Sequence, residues 1–471
     1  MSKQTVAVII AGGLGTRFSS MTKQIASEHP DLFNGARDIP KPMAIIEGIP
    51  ILEREIQCLV NQGFTDIILT VGYLADVIIS YFGDGGGISR ATGKPFNCHI
   101  LYYREKTLLG NAGALFQISD KLTDDFLLLN ADSIFDIDFN RIVNFHKSHH
   151  ALATLFTHPN SHPYDSALLI TDENHIVKRW LTKEDIRPQW YSNRVNAGLQ
   201  VIKKSALEKT VQMGLVQPNL LGTKVHGMTY KIDLDRQILK PLCQTNCVFA
   251  FDSSEYVKDM GTPERFDSIV HDYESGTVQA RNFHRTQKAI FIDRDGTINR
   301  YKGFLKDIHD FELVPDIAQG IRRINSSEYL TIVITNQPVI ARGELTIKEL
   351  NEIHQKMETL LGQEGAYIDG LYYCPHHPDK GYKGEIPELK IDCDCRKPKT
   401  GLIDRAVKDF NIDLHKSWFF GDGKNDIQCG QNAGTHTCLY IGPGCDPNHR
   451  GIIIPDLICE SLNEFCDRIG I

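Results

Sequence analysis

Near-continuous apolar runs recur along the first half of the chain, and helix-spaced segments lie between them. Thr5–Ile10 is apolar at almost every position, as in a strand whose sheet is covered on both faces. Ile51–Gly63 carries the spacing of an amphipathic helix, Asp66–Val71 reads as a strand, and Ala75–Phe82 as another helix. Ile100–Tyr103 predicts a strand, Leu109–Gln117 a glycine-containing helix, and Phe126–Leu129 a strong strand. Strands alternating with helices predict an α/β domain with a largely parallel sheet. After a helix at Pro263–Tyr273 the chain turns polar from 274 to 288, with Gly276 inside, which predicts a linker. A second alternation follows: strands at Ala289–Ile292, Leu330–Ile334, Ile368–Tyr373 and Ser417–Phe420, with helices at Ile317–Ile324 and Thr346–Leu361. The expected organisation is therefore a domain over 1–273, a linker over 274–288 and a second α/β domain over 289–471.

Composition narrows the class. The chain has 471 residues, is 41% hydrophobic and carries a net charge of −8, so nothing points to a nucleic-acid partner. No run of 18 apolar residues exists, which predicts no membrane span. The first residues lead into an apolar strand with no signal-peptide pattern, so a cytoplasmic protein is expected. Its 12 cysteines then read as thiols or metal ligands rather than disulfides. Eight of them follow residue 370. The sequence leaves oligomeric state open, a homo-oligomer included.

Candidate chemistry sits at strand ends, where ligands bind in such sheets. The first strand runs into A-G-G-L-G-T-R, which places Gly12, Gly13, Gly15, Thr16 and Arg17 where backbone N–H groups and a guanidinium can meet phosphate. A tight strand-to-helix turn is the plainer reading of the glycines. Asp132 follows the Phe126–Leu129 strand; a carboxylate facing a phosphate loop suggests Mg²⁺, although it could simply cap the next turn. In the second half, Phe291–Asn299 reads F-I-D-R-D-G-T-I-N. The i, i+2 spacing puts Asp293 and Asp295 on one face of a strand end, where a nucleophile and a general acid/base could stand side by side.

With the later landmarks added, the first half resembles the sugar-1-phosphate nucleotidyltransferases. It carries Gly12–Arg17, P-K-P at Pro40–Pro42, L-G-N-A-G at Leu109–Gly113, Asp132, and D-M-G-T-P at Asp259–Pro263, in order. The resemblance implies that Arg17 and Lys41 hold a nucleoside triphosphate and that Asp132 and Asp259 ligate Mg²⁺. It also implies that Gly110 lies by the base, and Asn196 and Lys183 by the sugar. Phe18–Ile39 is longer than the family's usual segment, and the sugar-binding E-K pair is reversed as Lys183-Glu184. The implied reaction is in-line attack of a sugar-1-phosphate oxygen on the α-phosphorus, expelling pyrophosphate.

D-R-D-G-T, T-N-Q at Thr335–Gln337, Lys397, and G-D-G-K-N-D with Asp422 and Asp426 resemble the haloacid-dehalogenase-type phosphatases. The resemblance implies an aspartyl phosphate on Asp293 and acid/base work by Asp295. Thr335 and Lys397 would stabilise the phosphoryl group, and Asn336 and Arg396 would bind substrate. It places Mg²⁺ on Asp293, the Asp295 carbonyl and Asp422, with Asp426 orienting them. Only 42 positions separate Asp293 from Thr335, which leaves no room for a large cap domain. Cys374, His376, Cys393 and Cys395 form a Cys₃His set suited to structural Zn²⁺, with His377 the competing imidazole.

The zinc loop resembles those of histidinol phosphatases and heptose 1,7-bisphosphate 7-phosphatases. The 16 residues between His376 and Cys393 match the heptose group better, and Ile340–Gly343 adds Arg342 as a candidate for the distal phosphate. Pro338-Val339 stands where that group has Ser-Gly. Together the halves imply two consecutive steps of nucleotide-activated heptose synthesis, with guanylyl transfer second. Another sugar bisphosphate and nucleotide, a non-catalytic first half that regulates the phosphatase, and a nucleic-acid end-processing phosphatase are the alternatives. The last would need a P-loop or a basic face, and the chain has neither.

Overall fold

A computed structural model describes residues 5–446 and 453–471. The chain divides into two compact units. The first comprises Met1–Thr157, Leu169–Trp180 and Asn196–Gln279; the second comprises His158–Leu168, Leu181–Val195 and Ala280–Ile471.

In the first unit the expected strands form one sheet. Val6–Ala11 lies between Asp125–Asn130 and Asp66–Val71, parallel to both, and His99–Arg104 continues the parallel run. The sheet is mixed because Val195–Lys203 pairs antiparallel with Asp125–Asn130. Ala7, Ile9 and Ala11 enter the same buried cluster as Ile67, Leu69, Leu127 and Leu129 from the neighbouring strands. The helix expected from Leu109 begins only at Gly113. Gly110 adopts φ +84°, and a Cβ there would fall 2.3 Å from the Ile232 carbonyl oxygen, so the turn needs glycine. A two-stranded antiparallel ribbon, Ser133–Asp136 with Tyr256–Asp259, brings Asp259 opposite Ser133. That pairing sets Asp259 beside Asp132 despite their distance in sequence.

The second unit holds a six-stranded sheet that is parallel throughout. Its order is Gly370–Cys374, Tyr329–Asn336, Lys288–Ile292, Trp418–Gly421, His436–Tyr440 and Leu457–Cys459. Lys288–Ile292 is central and faces apolar layers on both sides. Ile290 and Ile292 join one buried cluster, Ala289 and Phe291 the other, which explains the unbroken apolar run. The stretch expected to be a polar linker contains a helical turn, Thr277–Ala280. It also contains a buried Arg281, which pairs with Asp369 at 3.3 Å and donates to the carbonyls of Asn325 and Tyr329. An arginine reads as linker in sequence because these partners are non-local. Within this unit the Tyr191 N–H donates to Thr359 Oγ1 (2.9 Å) and the Asn193 N–H to Glu358 Oε2 (2.7 Å).

Among the described residues no helix is long and apolar enough to cross a membrane. The fully buried Phe291 supplies a test of the layered core. Phe291→Ala should destabilise the second unit by about 3–5 kcal/mol, read as a lowered urea midpoint; a loss under about 1 kcal/mol would contradict the two-sided burial.

Candidate active sites

In the second unit, the strand Lys288–Ile292 delivers Asp293, whose N–H still donates to Phe420 O (3.1 Å). The chain then turns through Gly296 at φ +87°. A Cβ on Gly296 would stand 2.2 Å from Asp422 Oδ2, so glycine alone lets the D-R-D-G turn approach the later aspartate. Lys397 Nζ sits 2.6 Å from Asp293 Oδ1, 2.6 Å from Asp426 Oδ1 and 2.8 Å from the Ile334 carbonyl. The side chains of Asp293, Asp422 and Asp426 are all buried, and one oxygen from each lies within 4.8 Å of the others.

Three crowded carboxylates and one ammonium leave excess negative charge in a desolvated place. Burial and the Asp426 carboxylate push Asp293 up to about 7, with Lys397 opposing. Burial, Asp426 and Asp293 push Asp422 up to about 8. An all-oxygen set of this kind fits Mg²⁺. Asp426, expected only to orient its neighbours, is part of the group.

The cavity above these residues has a volume of about 440 Å³ and is lined by Asp293, Asp295, Thr335, Arg396, Lys397 and Asp422 among others. Asn336 also borders it, but its amide is engaged. Its Oδ1 accepts from the Lys397 N–H (3.0 Å) and its Nδ2 donates to the Lys397 carbonyl (3.1 Å). The residue expected to touch substrate thus fixes the backbone of the lysine. Asp295 is held from several sides. Arg294 Nη2 donates to both of its oxygens, at 2.7 and 2.9 Å, and Gln337 Nε2 donates to Oδ2 at 2.7 Å. Gln337 Nε2 also reaches Thr335 Oγ1 (2.9 Å). Arg294 is fully buried and its Nη1 donates to His354 Nε2 (3.1 Å). Burial and the Arg294 charge hold His354 well below the usual imidazole range, so it is neutral and accepts. Sequence reasoning missed Arg294, Gln337 and His354. The two flanking motifs contained the first two as unassigned letters, and nothing in the sequence marked His354.

Beside this cavity, Arg342 is buried. Its guanidinium stacks 3.9 Å from the Phe304 ring and 4.5 Å from the Tyr382 ring, and its Nη2 is 3.2 Å from His377 Nε2. His377 is therefore occupied there. His376 is the imidazole that joins the thiols, with its Nδ1 3.3 Å from Cys395 Sγ and 3.7 Å from Cys374 Sγ. The three sulfurs lie 3.2–3.5 Å apart. A zinc–thiolate tetrahedron with bonds of about 2.3 Å has edges of about 3.8 Å, close to this spacing, so the four groups could hold one tetrahedral ion. Arg396 Nη1 donates to the His376 carbonyl (3.3 Å), which ties the cluster to the residue before Lys397.

In the first unit, the glycine loop opens on a cavity of about 290 Å³ that Gly15, Thr16, Asp38, Lys41 and Tyr73 help to line. Gly15 adopts φ +57° and precedes the short helix Thr16–Phe18, which carries Arg17. The long segment after it is accommodated as a helix, Ser19–Glu28, and a loop. Lys41 still reaches the site: its Nζ is 3.2 Å from Asp132 Oδ2. Asp259 accepts from Arg265 Nη1 through both oxygens, at 2.6 and 2.7 Å. Met260 N–H donates to the Asp132 carbonyl (2.9 Å), so the two expected metal ligands adjoin. Asn196 Oδ1 accepts from the Gly198 N–H (3.3 Å). Lys183 belongs to a segment of the second unit, where it is exposed and faces Asp165 at 3.8 Å.

Comparison with known proteins bears on both units. The family model described as nucleotidyl transferase matches residues 6–226, and one described as HAD-hydrolase-like matches 394–465. The chain is 35% identical over 185 residues to the D-glycero-beta-D-manno-heptose-1,7-bisphosphate 7-phosphatase of Haemophilus ducreyi, covering 39% of this chain and 99% of that one. It is 36% identical over 181 residues to the D-glycero-alpha-D-manno-heptose-1,7-bisphosphate 7-phosphatase of Photorhabdus laumondii, covering 38% and 97%. Among solved structures, HddC from Yersinia pseudotuberculosis is similar at 23% identity and a TM-score of 0.42, over 57% of this chain and all of that one.

The raised carboxylates give a pH test with a definite sign. Asp293 and Asp422 are raised above the usual range, to about 7 and about 8, so protons occupy them below those values and must leave when a divalent ion binds. Mg²⁺ affinity should rise from about pH 6 to about pH 9, with proton release visible by calorimetry in buffers of different ionisation enthalpy. Affinity independent of pH, with no proton released, would contradict the crowded, desolvated cluster.

Proposed function

The chain belongs to the D-glycero-D-manno-heptose-1,7-bisphosphate 7-phosphatase family, and we propose that it joins that activity to the transferase step that consumes the product. Removing the 7-phosphate of heptose 1,7-bisphosphate leaves heptose 1-phosphate. A sugar 1-phosphate is the substrate class implied by the glycine loop, Lys41 and Asp132. In this reading the second unit hydrolyses the bisphosphate and the first unit transfers GMP from GTP, giving GDP-heptose and pyrophosphate. The observation that carries it is the placement of Lys397 between Asp293 and Asp426 at 2.6 Å in a chain whose other unit matches the nucleotidyl transferases.

The contacts support the following roles. Asp293 attacks the 7-phosphoryl phosphorus and forms an aspartyl phosphate as the P–O bond to the sugar breaks. Asp295 gives its proton to the leaving sugar oxygen and then takes one from the water that cleaves the aspartyl phosphate. Arg294 and Gln337 set its direction, a positioning role. Lys397 and Thr335 stabilise the phosphoryl oxygens. Mg²⁺ would be held by Asp293, Asp422 and the Asp295 carbonyl, with Asp426 beside them, and would neutralise charge on the phosphoryl group. Arg342 and Arg396 supply positive charge for the distal phosphate. In the first unit Arg17 and Lys41 would bind the triphosphate, Asp132 and Asp259 would hold Mg²⁺, and Gly12, Gly13, Gly15 and Thr16 would cradle phosphates. Gly110 would border the base, and Asn196 the sugar. Zn²⁺ on Cys374, His376, Cys393 and Cys395 would be structural, since four protein donors close the site.

Two substitutions should separate the steps. With both anomers of the bisphosphate and GTP supplied, Asp293→Asn should lower phosphate release by roughly a thousandfold or more and leave pyrophosphate release from supplied heptose 1-phosphate intact. Asp132→Ala should do the opposite. If either substitution silenced both reactions in a folded chain, two independent sites would be the wrong description. The purified protein should also contain about one zinc per chain; Cys393→Ser should lose it, and a metal-free native protein would remove the structural ion from the scheme.

A further inference from the structure

His354 has no part in the scheme above, although it is buried against the residue that holds the acid/base carboxylate. It stands on the helix Ile347–Gln363, whose start is fixed by a capping box between Thr346 and Glu349. Near the other end Thr359 Oγ1 accepts from the Tyr191 N–H (2.9 Å) and donates to the Tyr191 carbonyl (3.0 Å). Ile353 and Met357 beside it are fully buried, and its ring centre lies 5.6 Å from that of Tyr373. The imidazole is thus 5% exposed and carried on an element fixed at both ends. What it meets is Arg294, whose donors divide between two partners. Nε lies 3.2 Å from Asp295 Oδ1, and Nη2 lies 2.7 and 2.9 Å from the two Asp295 oxygens. Nη1 goes to His354 Nε2 at 3.1 Å. A guanidinium keeps its charge and has no acceptor, so Nε2 takes this bond on its lone pair.

The choice of a neutral acceptor matters. With an apolar side chain at 354, Nη1 would be a buried donor without a partner, and the guanidinium would regain one only by turning from Asp295. With a carboxylate there, Arg294 would share its charge between two anions. Imidazole satisfies Nη1 and leaves the charge to Asp295. We propose that His354 is a positioning residue of the phosphatase reaction, acting through Arg294 to aim the Asp295 carboxyl at the leaving sugar oxygen. Asn299 Nδ2 (3.2 Å) and Gln337 Nε2 (2.7 Å) also hold Asp295, but they are uncharged amides, and the charge-assisted pair is the stronger restraint. A general acid works only within hydrogen-bond reach of the atom it protonates, and a small misplacement is felt in the rate. The assignment rests on reading Asp295 as the general acid.

The test uses the full chain and two substrates. The sugar oxygen of heptose 1,7-bisphosphate needs a proton as its bond to phosphorus breaks. The phenolate of p-nitrophenyl phosphate is stabilised and leaves without one. For both, kcat/KM reports the steps up to that departure, before water cleaves the aspartyl phosphate. His354→Leu should lower kcat/KM for the bisphosphate by on the order of tenfold, and for p-nitrophenyl phosphate by less than about twofold. His354→Met, a flexible apolar chain of similar reach, repeats the test should leucine not pack. His354→Gln, which sets an amide oxygen where Nε2 stood, should restore the bisphosphate reaction to within about threefold of native. Asp295→Asn is the reference and should show the same selective loss, only larger. Equal losses on both substrates in the leucine and methionine variants, or no loss on either, overturn the proposal, as does a glutamine variant as impaired as the leucine one. If Asp295→Asn is itself unselective, the acid role of Asp295 falls and this assignment with it. Selectivity in Asp295→Asn that the His354 variants do not share overturns the assignment alone.

Discussion

The lysine ammonium held among three buried carboxylates governs the second unit. Lys397 is the cation that reaches both Asp293 and Asp426, and it is itself buried. A charge cluster of this kind costs several kcal/mol of desolvation per ion unless the geometry is well matched. The matching is visible in what surrounds it. Asn336 grips the backbone of Lys397 on both sides, the Ile334 carbonyl takes a third bond from Nζ, and Gly296 gives up its side chain so that Asp422 can close the group. The sheet order follows from the same need. Lys288–Ile292 is central, flanked by the strands that end in Asn336 and Gly421, so three separated motifs reach one point.

Much of this was legible in the sequence, for a physical reason. Groups that work at the ends of parallel strands follow an apolar run and precede a turn, so Asp293, Thr335, Asp422 and Asp132 announce themselves. The metal-type cluster was legible down to four residues, His376 among them, and the geometry adds what the competing His377 does instead, which is to meet Arg342. Other residues could not be read because tertiary neighbours give them meaning. Arg294 looks like a variable letter inside D-R-D-G-T, yet it is fully buried between Asp295 and His354. Asn336 looks like a phosphate ligand, yet both ends of its amide serve Lys397. Arg281 looks like linker, yet Asp369 and several carbonyls enclose its head. The Leu109 helix was placed too early because periodicity does not see that Gly110 must take a positive φ.

The first unit shows the opposite relation between insertion and site. The segment between the glycine loop and Lys41 is long, which in sequence puts the lysine's position in doubt. In the structure the extra residues form a helix and a loop, while Lys41 still meets Asp132. Loop length costs little free energy when both ends are anchored, and here the anchors are the strand at Ala11 and the buried Pro42-Met43 turn.

The central position of Lys288–Ile292 also bears on the order in which a ribosome can finish this protein. One flanking strand, Tyr329–Asn336, follows soon after it, but the other, Trp418–Gly421, is encoded only after Gly370–Cys374 and the long stretch beyond it. Parallel neighbours so far apart in sequence must wait for each other, and domains made first tend to fold first. The D-R-D-G turn cannot take its final shape until Asp422 has emerged, long after the glycine loop, Lys41, Asp132 and Asp259 are complete. Synthesis therefore runs against metabolism: the activity that acts second on the sugar is encoded first, and residue 422 must be made before the chain can supply its own substrate.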